Sequence, residues 1–183
     1  MMPYIQGEPD SIPDIYAAYS DIIRSTFIKS GDIGFLTIDE SVAEAGRPHR
    51  GKRAKFDRAL HTEVGIHPNR DYVWGGGWAT DHVVTLDADV EILLANNLDD
   101  SCAVWDTVHM DTSRDGDIGH LAEQYSYANA EMMKAGAIRR IGIFTPHESL
   151  PVPRAVQRQF LRIISSGVHG REPYFTQNLL LSQ

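Results

Sequence analysis

From Tyr72 to Ile164 the chain is a series of short β-prone runs separated by turn residues, and that pattern restricts the folds open to it. Tyr72-Val73-Trp74 precedes Gly75-Gly76-Gly77, which marks a turn or bulge before a second run from Trp78 to Leu86. Asp89 to Asn96 follows, with Val90, Ile92 and Leu94 on one face. Ala103–Val108, Ile138–His147 and Arg158–Ile164 read as further strands, and Phe35–Ile38 as an earlier one. Two segments have helical spacing instead. Ile12, Ile15, Tyr16, Tyr19, Ile22, Ile23 and Phe27 form one apolar stripe over residues 10–30, with Ser11 and Asp14 as a capping box, Pro13 in the first turn and Gly31 as the stop. Leu121, Tyr125, Ala128 and Met132 form another over residues 118–134, closed by Gly136. The expected class is α+β, mainly β, in one domain spanning 1–183. This many strands must cover their edges, so a sandwich or a closed barrel is expected.

Composition narrows the function. Seventeen basic against 25 acidic residues give a formal charge of −8, which disfavours non-specific binding to nucleic acid or to anionic membranes. The single cysteine, Cys102, excludes an intrachain disulfide and fits a reducing cytoplasm. The N-terminus lacks the basic-then-apolar pattern of a secretory signal, and no apolar run reaches the roughly 20 residues of a membrane span. Arg47, Arg50, Lys52, Arg53 and Lys55 cluster in one breaker-rich stretch. It reads either as a solvated loop or as a loop that recruits an anionic substrate.

Strand parity brings candidate residues together. Side chains two apart share a face, so positions 79 and 81 point the same way. Ile141, Ile143, Thr145 and His147 form one row, and Arg158, Phe160 and Arg162 another. Asp81, His147, Arg158 and Arg162 are thus expected to converge inside the barrel.

Trp78-Ala79-Thr80-Asp81, the distal His147, and Arg158 and Arg162 at 158 − 147 = 11 and 162 − 147 = 15 positions beyond it resemble the Fe(II)/2-oxoglutarate-dependent dioxygenases. The resemblance covers roughly residues 72–164. It implies a double-stranded β-helix (jelly-roll) core, to which the two helically spaced segments add an N-terminal helix and one inserted helix. It implies oxidative decarboxylation of 2-oxoglutarate coupled to hydroxylation of a small substrate, with Arg162 and the basic stretch pointing to an anionic one. Asp81 and His147 would be metal ligands, Arg158 the anchor for the 2-oxoglutarate tail, Arg162 an anchor for substrate, and Trp78 a wall of the substrate pocket. The residue types suit that chemistry, because Fe(II) takes imidazole nitrogen and carboxylate oxygen on one octahedral face and an arginine fork holds a carboxylate.

The motif departs from the family at Ala79, which stands where the first ligand histidine belongs and has no lone pair to offer. An introduced substitution, a metal-impaired or non-catalytic relative, and a ligand supplied from elsewhere all satisfy that observation. His82 points away on a regular strand. His109-Met110-Asp111 is a literal His-x-Asp and supplies alternative ligands. It leaves 147 − 111 = 36 positions to His147, against 147 − 81 = 66 from Asp81. His61 and His67 fall in a loop and receive no role. The competing class is a non-catalytic jelly-roll module that binds a small carboxylate or a protein partner through the same arginines. In that class Asp81 takes turn hydrogen bonds and His147 is a structural histidine.

Overall fold

The computed structural model describes residues 1–49, 58–66, 72–74, 84–110, 116–170 and 175–181. Twelve strands are found among these residues: β1 (Met2–Ile5), β2 (Ile33–Ala43), β3 (Val64–Ile66), β4 (Tyr72–Trp74), β5 (Thr85–Leu86), β6 (Glu91–Asn96), β7 (Cys102–Val104), β8 (Glu131–Met132), β9 (Ile138–Gly142), β10 (His147–Ser149), β11 (Val156–Ile164) and β12 (Val168–His169). The protein is mostly β, and every strand pair is antiparallel. A five-stranded sheet runs β1-β2-β11-β6-β9, a four-stranded one β12-β5-β4-β3, and a three-stranded one β10-β7-β8. The β structure therefore begins well before Tyr72, and the long β2 pairs with β11 along nine residues.

Residue parity shows how the layers are built. On β11, Leu161 and Ile163 face one way, into a cluster with Tyr4, Ile12, Ile23, Leu36 and Leu93 that the N-terminal segment covers. Phe160 and Ile164 face the other way, into a cluster with Phe35, Ile92, Leu94 and Ile141 of the same sheet. Val64, Leu86 and Val168 of the four-stranded sheet and Val104 of the three-stranded sheet complete that second cluster. All three sheets thus share one core. Arg158 and Arg162 have the parity of Phe160 and Ile164, so they lie on the core side of β11. Ala103 of β7 turns outward to a third cluster with Leu60, Trp105, Ile118 and Tyr125.

Both predicted helices are corrected. The first is a 3-10 turn at Pro9–Ser11, a 3-10 stretch at Asp14–Tyr19 and one short helix, α1 (Ser20–Ser25). Ser11 caps no helix. Its Oγ accepts from the Ile5 amide at 2.9 Å and donates to the Glu8 carbonyl at 2.6 Å, closing the turn after β1. Pro9 and Pro13 have no amide hydrogen to lend to a continuous ladder, and Ile15 of the expected stripe is 81% exposed. Gly31 is not the stop. At φ +83 it forms the turn before β2, where its amide bonds to the Gln6 carbonyl. The second predicted helix is two 3-10 turns, Gly119–Gln124 and Tyr127–Asn129, followed by β8. Side chains capture the carbonyls that a helix would use: Arg58 Nη1 donates to Ala122 and Tyr125, and Trp105 Nε1 donates to Ser126. Leu121, Tyr125 and Met132 still pack on one apolar cluster, so periodicity located the buried side without giving the backbone. The expected strand 138–147 is also divided. A turn after Gly142, closed by Thr145 N–H to the Gly142 carbonyl, separates β9 from β10. No helix among the described residues is long and apolar enough to cross a membrane.

Candidate metal centre

Residues 60–64 run as an extended segment between two neighbours. On one side the Thr62 amide bonds to the Gly116 carbonyl and the Ile118 amide to the Leu60 carbonyl. On the other side His61 and His147 exchange both backbone bonds, at 3.0 and 2.9 Å, and the Glu63 amide donates to the Ile143 carbonyl. Residues that exchange both bonds sit directly opposite, so their side chains emerge side by side. Glu63 is two positions from His61 and shares its face. Local backbone geometry therefore brings His61, Glu63 and His147 to one point. Gly116 is needed for the close approach: its φ is +72, and a Cβ there would lie 2.5 Å from the Thr62 carbonyl oxygen.

All three side chains are buried, and one potential ligand atom from each lies within 4.8 Å of the others. The histidine tautomers follow from their partners. His61 Nδ1 is 2.6 Å from the Ala59 carbonyl oxygen, and His147 Nδ1 is 3.0 Å from that of Thr145. A carbonyl only accepts, so each Nδ1 carries hydrogen and the neutral ring keeps its lone pair on Nε2. His147 Nε2 faces Glu63 Oε1 at 3.5 Å. Two acceptors pointed at each other in a buried site call for a cation between them or an added proton on the ring. Two imidazole nitrogens and one carboxylate, each ring already held by an outer carbonyl, are a donor set that could hold a divalent transition metal. Adjacent ligands on bonds of roughly 2.1 Å stand about 3 Å apart, so binding would draw together atoms that now lie within 4.8 Å of one another.

The residues singled out from sequence divide into three groups. His147 is in the cluster. Arg162 touches it, with Nη1 3.3 Å from Glu63 Oε1 and 3.4 Å from Oε2. Arg158 lies further along the same face of β11. It is 7% exposed, and among the described residues no hydrogen bond or ion pair reaches its guanidinium. The Phe160 ring lies 4.7 Å from its Cζ. Burial pushes Arg158 below its ordinary value, and the attraction of Asp39 only partly offsets this. His109 is not a member of the cluster: its Nδ1 hydrogen-bonds Tyr125 Oη at 2.9 Å. Trp78, Ala79, Asp81 and Asp111 lie outside the described residues, as does most of the basic stretch after His49. His61, given no role from sequence, and Glu63, not singled out there, are the residues that join His147. His61-Thr62-Glu63 is itself a His-x-carboxylate motif, so the group does not depend on a ligand at position 79.

Cys102 projects toward the core from β7, opposite Ser149. Burial pushes its thiol up to about 12, with the charge of Arg158 opposing. An unfolded thiol ionises near pH 8.5. Stability is therefore undiminished below that value and declines as pH rises from there toward the folded-state value, because the unfolded chain loses the proton first. Cys102→Ala is expected to flatten the decline between pH 8 and pH 10. Urea midpoints for both proteins test this, and equal slopes would contradict it.

No family model matches the chain, and no curated protein or solved structure matches it. The site must be read from its own geometry.

Proposed function

We propose that this protein is an Fe(II)- and 2-oxoglutarate-dependent oxygenase, with His61, Glu63 and His147 as metal ligands and Arg158 as the anchor for the cosubstrate's distal carboxylate. The observation that carries the reading is the pair of lone-pair-bearing Nε2 atoms converging on a buried carboxylate. Three protein ligands on one side of an ion leave positions open for a bidentate 2-oxo acid and for O2. When bound, the metal supplies the oxidative chemistry. The chain's own residues orient and enclose it. The Ala59 and Thr145 carbonyls fix the two rings, burial limits access of water to the three side chains, and Arg158 presents a planar donor fork that no carboxylate among the described residues hydrogen-bonds. A double-stranded β-helix is the arrangement of antiparallel sheets that this reading favours. The substrate class stays a small molecule, with an anionic group suited to the cationic side chains of β11.

Anaerobic titration with Fe(II), followed by 2-oxoglutarate, tests the proposal. The expected result is saturation near one equivalent of metal, with 2-oxoglutarate binding tightly only to the metal-loaded protein and then decarboxylating on exposure to O2. Absence of metal binding would refute the oxygenase. Metal-independent binding of 2-oxoglutarate, without turnover, would favour a carboxylate-binding module. Within this reading Arg158→Gln should raise the apparent Kd for 2-oxoglutarate by roughly 10- to 100-fold, the worth of a charge-assisted hydrogen bond of about 1.5–3 kcal/mol. Metal affinity should be unchanged. An equal loss of affinity for metal would show that Arg158 acts on the fold instead.

A further inference from the structure

Glu63 is shared. One face of its carboxylate looks toward His147 Nε2, and both of its oxygens are contacted by Arg162 Nη1. The Arg162 side chain is 12% exposed and that of Glu63 7%, so the contact is largely removed from solvent. It is also long, at 3.3 and 3.4 Å, and comes from a single nitrogen instead of the two-nitrogen fork that binds a carboxylate most tightly. A carboxylate in such a place needs a positive partner, since a buried charge without one is costly. The metal would provide one, and Arg162 already does.

We infer that Arg162 is a positioning residue that competes with the metal for Glu63: it balances the carboxylate while the site is metal-free and weakens metal binding once the ion arrives. This rests on the proposed metal centre. Two effects oppose each other. An outer partner that orients a ligand typically strengthens metal binding by 10- to 100-fold. A guanidinium a few ångströms from a dication in a water-poor site repels it, and at an effective dielectric near 20 that repulsion is the larger effect. The backbone bonds of residues 61–63 already place Glu63, and the long single-nitrogen contact adds little orientation. Charge therefore wins. The arrangement keeps the metal-free protein folded and the metal exchangeable.

Cobalt(II) is a suitable probe, because its visible absorption reports the ligand set independently of turnover. Arg162→Gln removes the charge and keeps an amide donor. It is expected to bind Co(II) at least about tenfold more tightly than wild type while its metal-free melting temperature falls. Arg162→Lys keeps the charge and should bind within about threefold of wild type. If Arg162→Gln does not fold without metal, refolding it with Co(II) and competing with a chelator measures the same affinity. Weaker or unchanged binding in Arg162→Gln overturns the inference and leaves the metal centre standing. So does an Arg162→Lys variant that binds as tightly as Arg162→Gln. A wild-type protein that takes up no Co(II) overturns both.

Discussion

His61→Ala is expected to abolish stoichiometric metal binding, with a loss of at least about 100-fold in affinity. Changes to residues outside the ligand set already cost 10- to 100-fold in metal sites, so removing a ligand should cost no less. Without His61 the site keeps one imidazole and one carboxylate, and the carboxylate remains paired with Arg162. The backbone bonds between residues 61 and 147 do not involve the side chain, so the strand pairing survives and circular dichroism should be close to wild type. Glu63→Gln should lose binding as well, and His109→Ala should not, because the His109 ring is engaged with Tyr125. The comparison also separates two carboxylate assignments. If Asp81 served His147, Asp81→Asn would lose the metal and Glu63→Gln would keep it. A His61→Ala protein that titrates like wild type would refute the assignment made here.

The sequence held more of this site than its motifs suggested. Parity puts Arg158 and Arg162 on one face of β11, and they share that face in the structure because Val156–Ile164 is one unbroken strand with nine paired positions. Parity for His147 held less securely, since a turn lies between β9 and β10. His147 faces the core through its own pairing with Val104, not through a continuous row from Ile141. His61 and Glu63 were legible but not used: Leu60, Thr62, Val64 and Ile66 alternate with His61, Glu63 and Gly65, a period-two run that sets His61 and Glu63 on one face. That run does not disclose its partners, because His61 is bridged to Asp117 and His147, both distant in sequence. The same limit explains the two expected helices. Apolar spacing reports which side chains are buried, but Arg58 and Trp105, far along the chain, decide where the carbonyls of residues 122–126 bond.

Glu148→Ala is expected to be the most destabilising single substitution near the site, by about 3–5 kcal/mol. Parity places Glu148 on the opposite side of β10 from His147, with Ala103 as its cross-strand partner. There its Oε2 accepts from Arg58 Nη2 at 2.6 Å, Arg58 Nε at 2.9 Å and Tyr127 Oη at 3.1 Å. Arg58 Nη1 continues to the Ala122 and Tyr125 carbonyls, and its Cζ stacks 4.3 Å from the Tyr127 ring. Burial opposes the charge on Arg58, yet the hydrogen bond and attraction from Glu148 outweigh it and hold the guanidinium above its ordinary value. Glu148 is 4% exposed at its side chain, so this pair differs in kind from surface pairs such as Arg24–Asp21, which contribute 1 kcal/mol or less. Removing the carboxylate leaves a mostly buried cation with no counter-charge and breaks the tie between β10 and the 3-10 turns. For a chain of this size the loss corresponds to a fall in melting temperature of roughly 6–20 °C. Equilibrium urea unfolding of the metal-free protein measures it, and a loss below 1 kcal/mol would place the pair with the surface ones. Because β10 carries His147, the same substitution should also weaken metal binding while leaving the three proposed ligands intact. Arg58→Ala should do so too, and the double variant Arg58→Ala/Glu148→Ala should cost less than the sum of the two, as expected when each single change strands the other's charge.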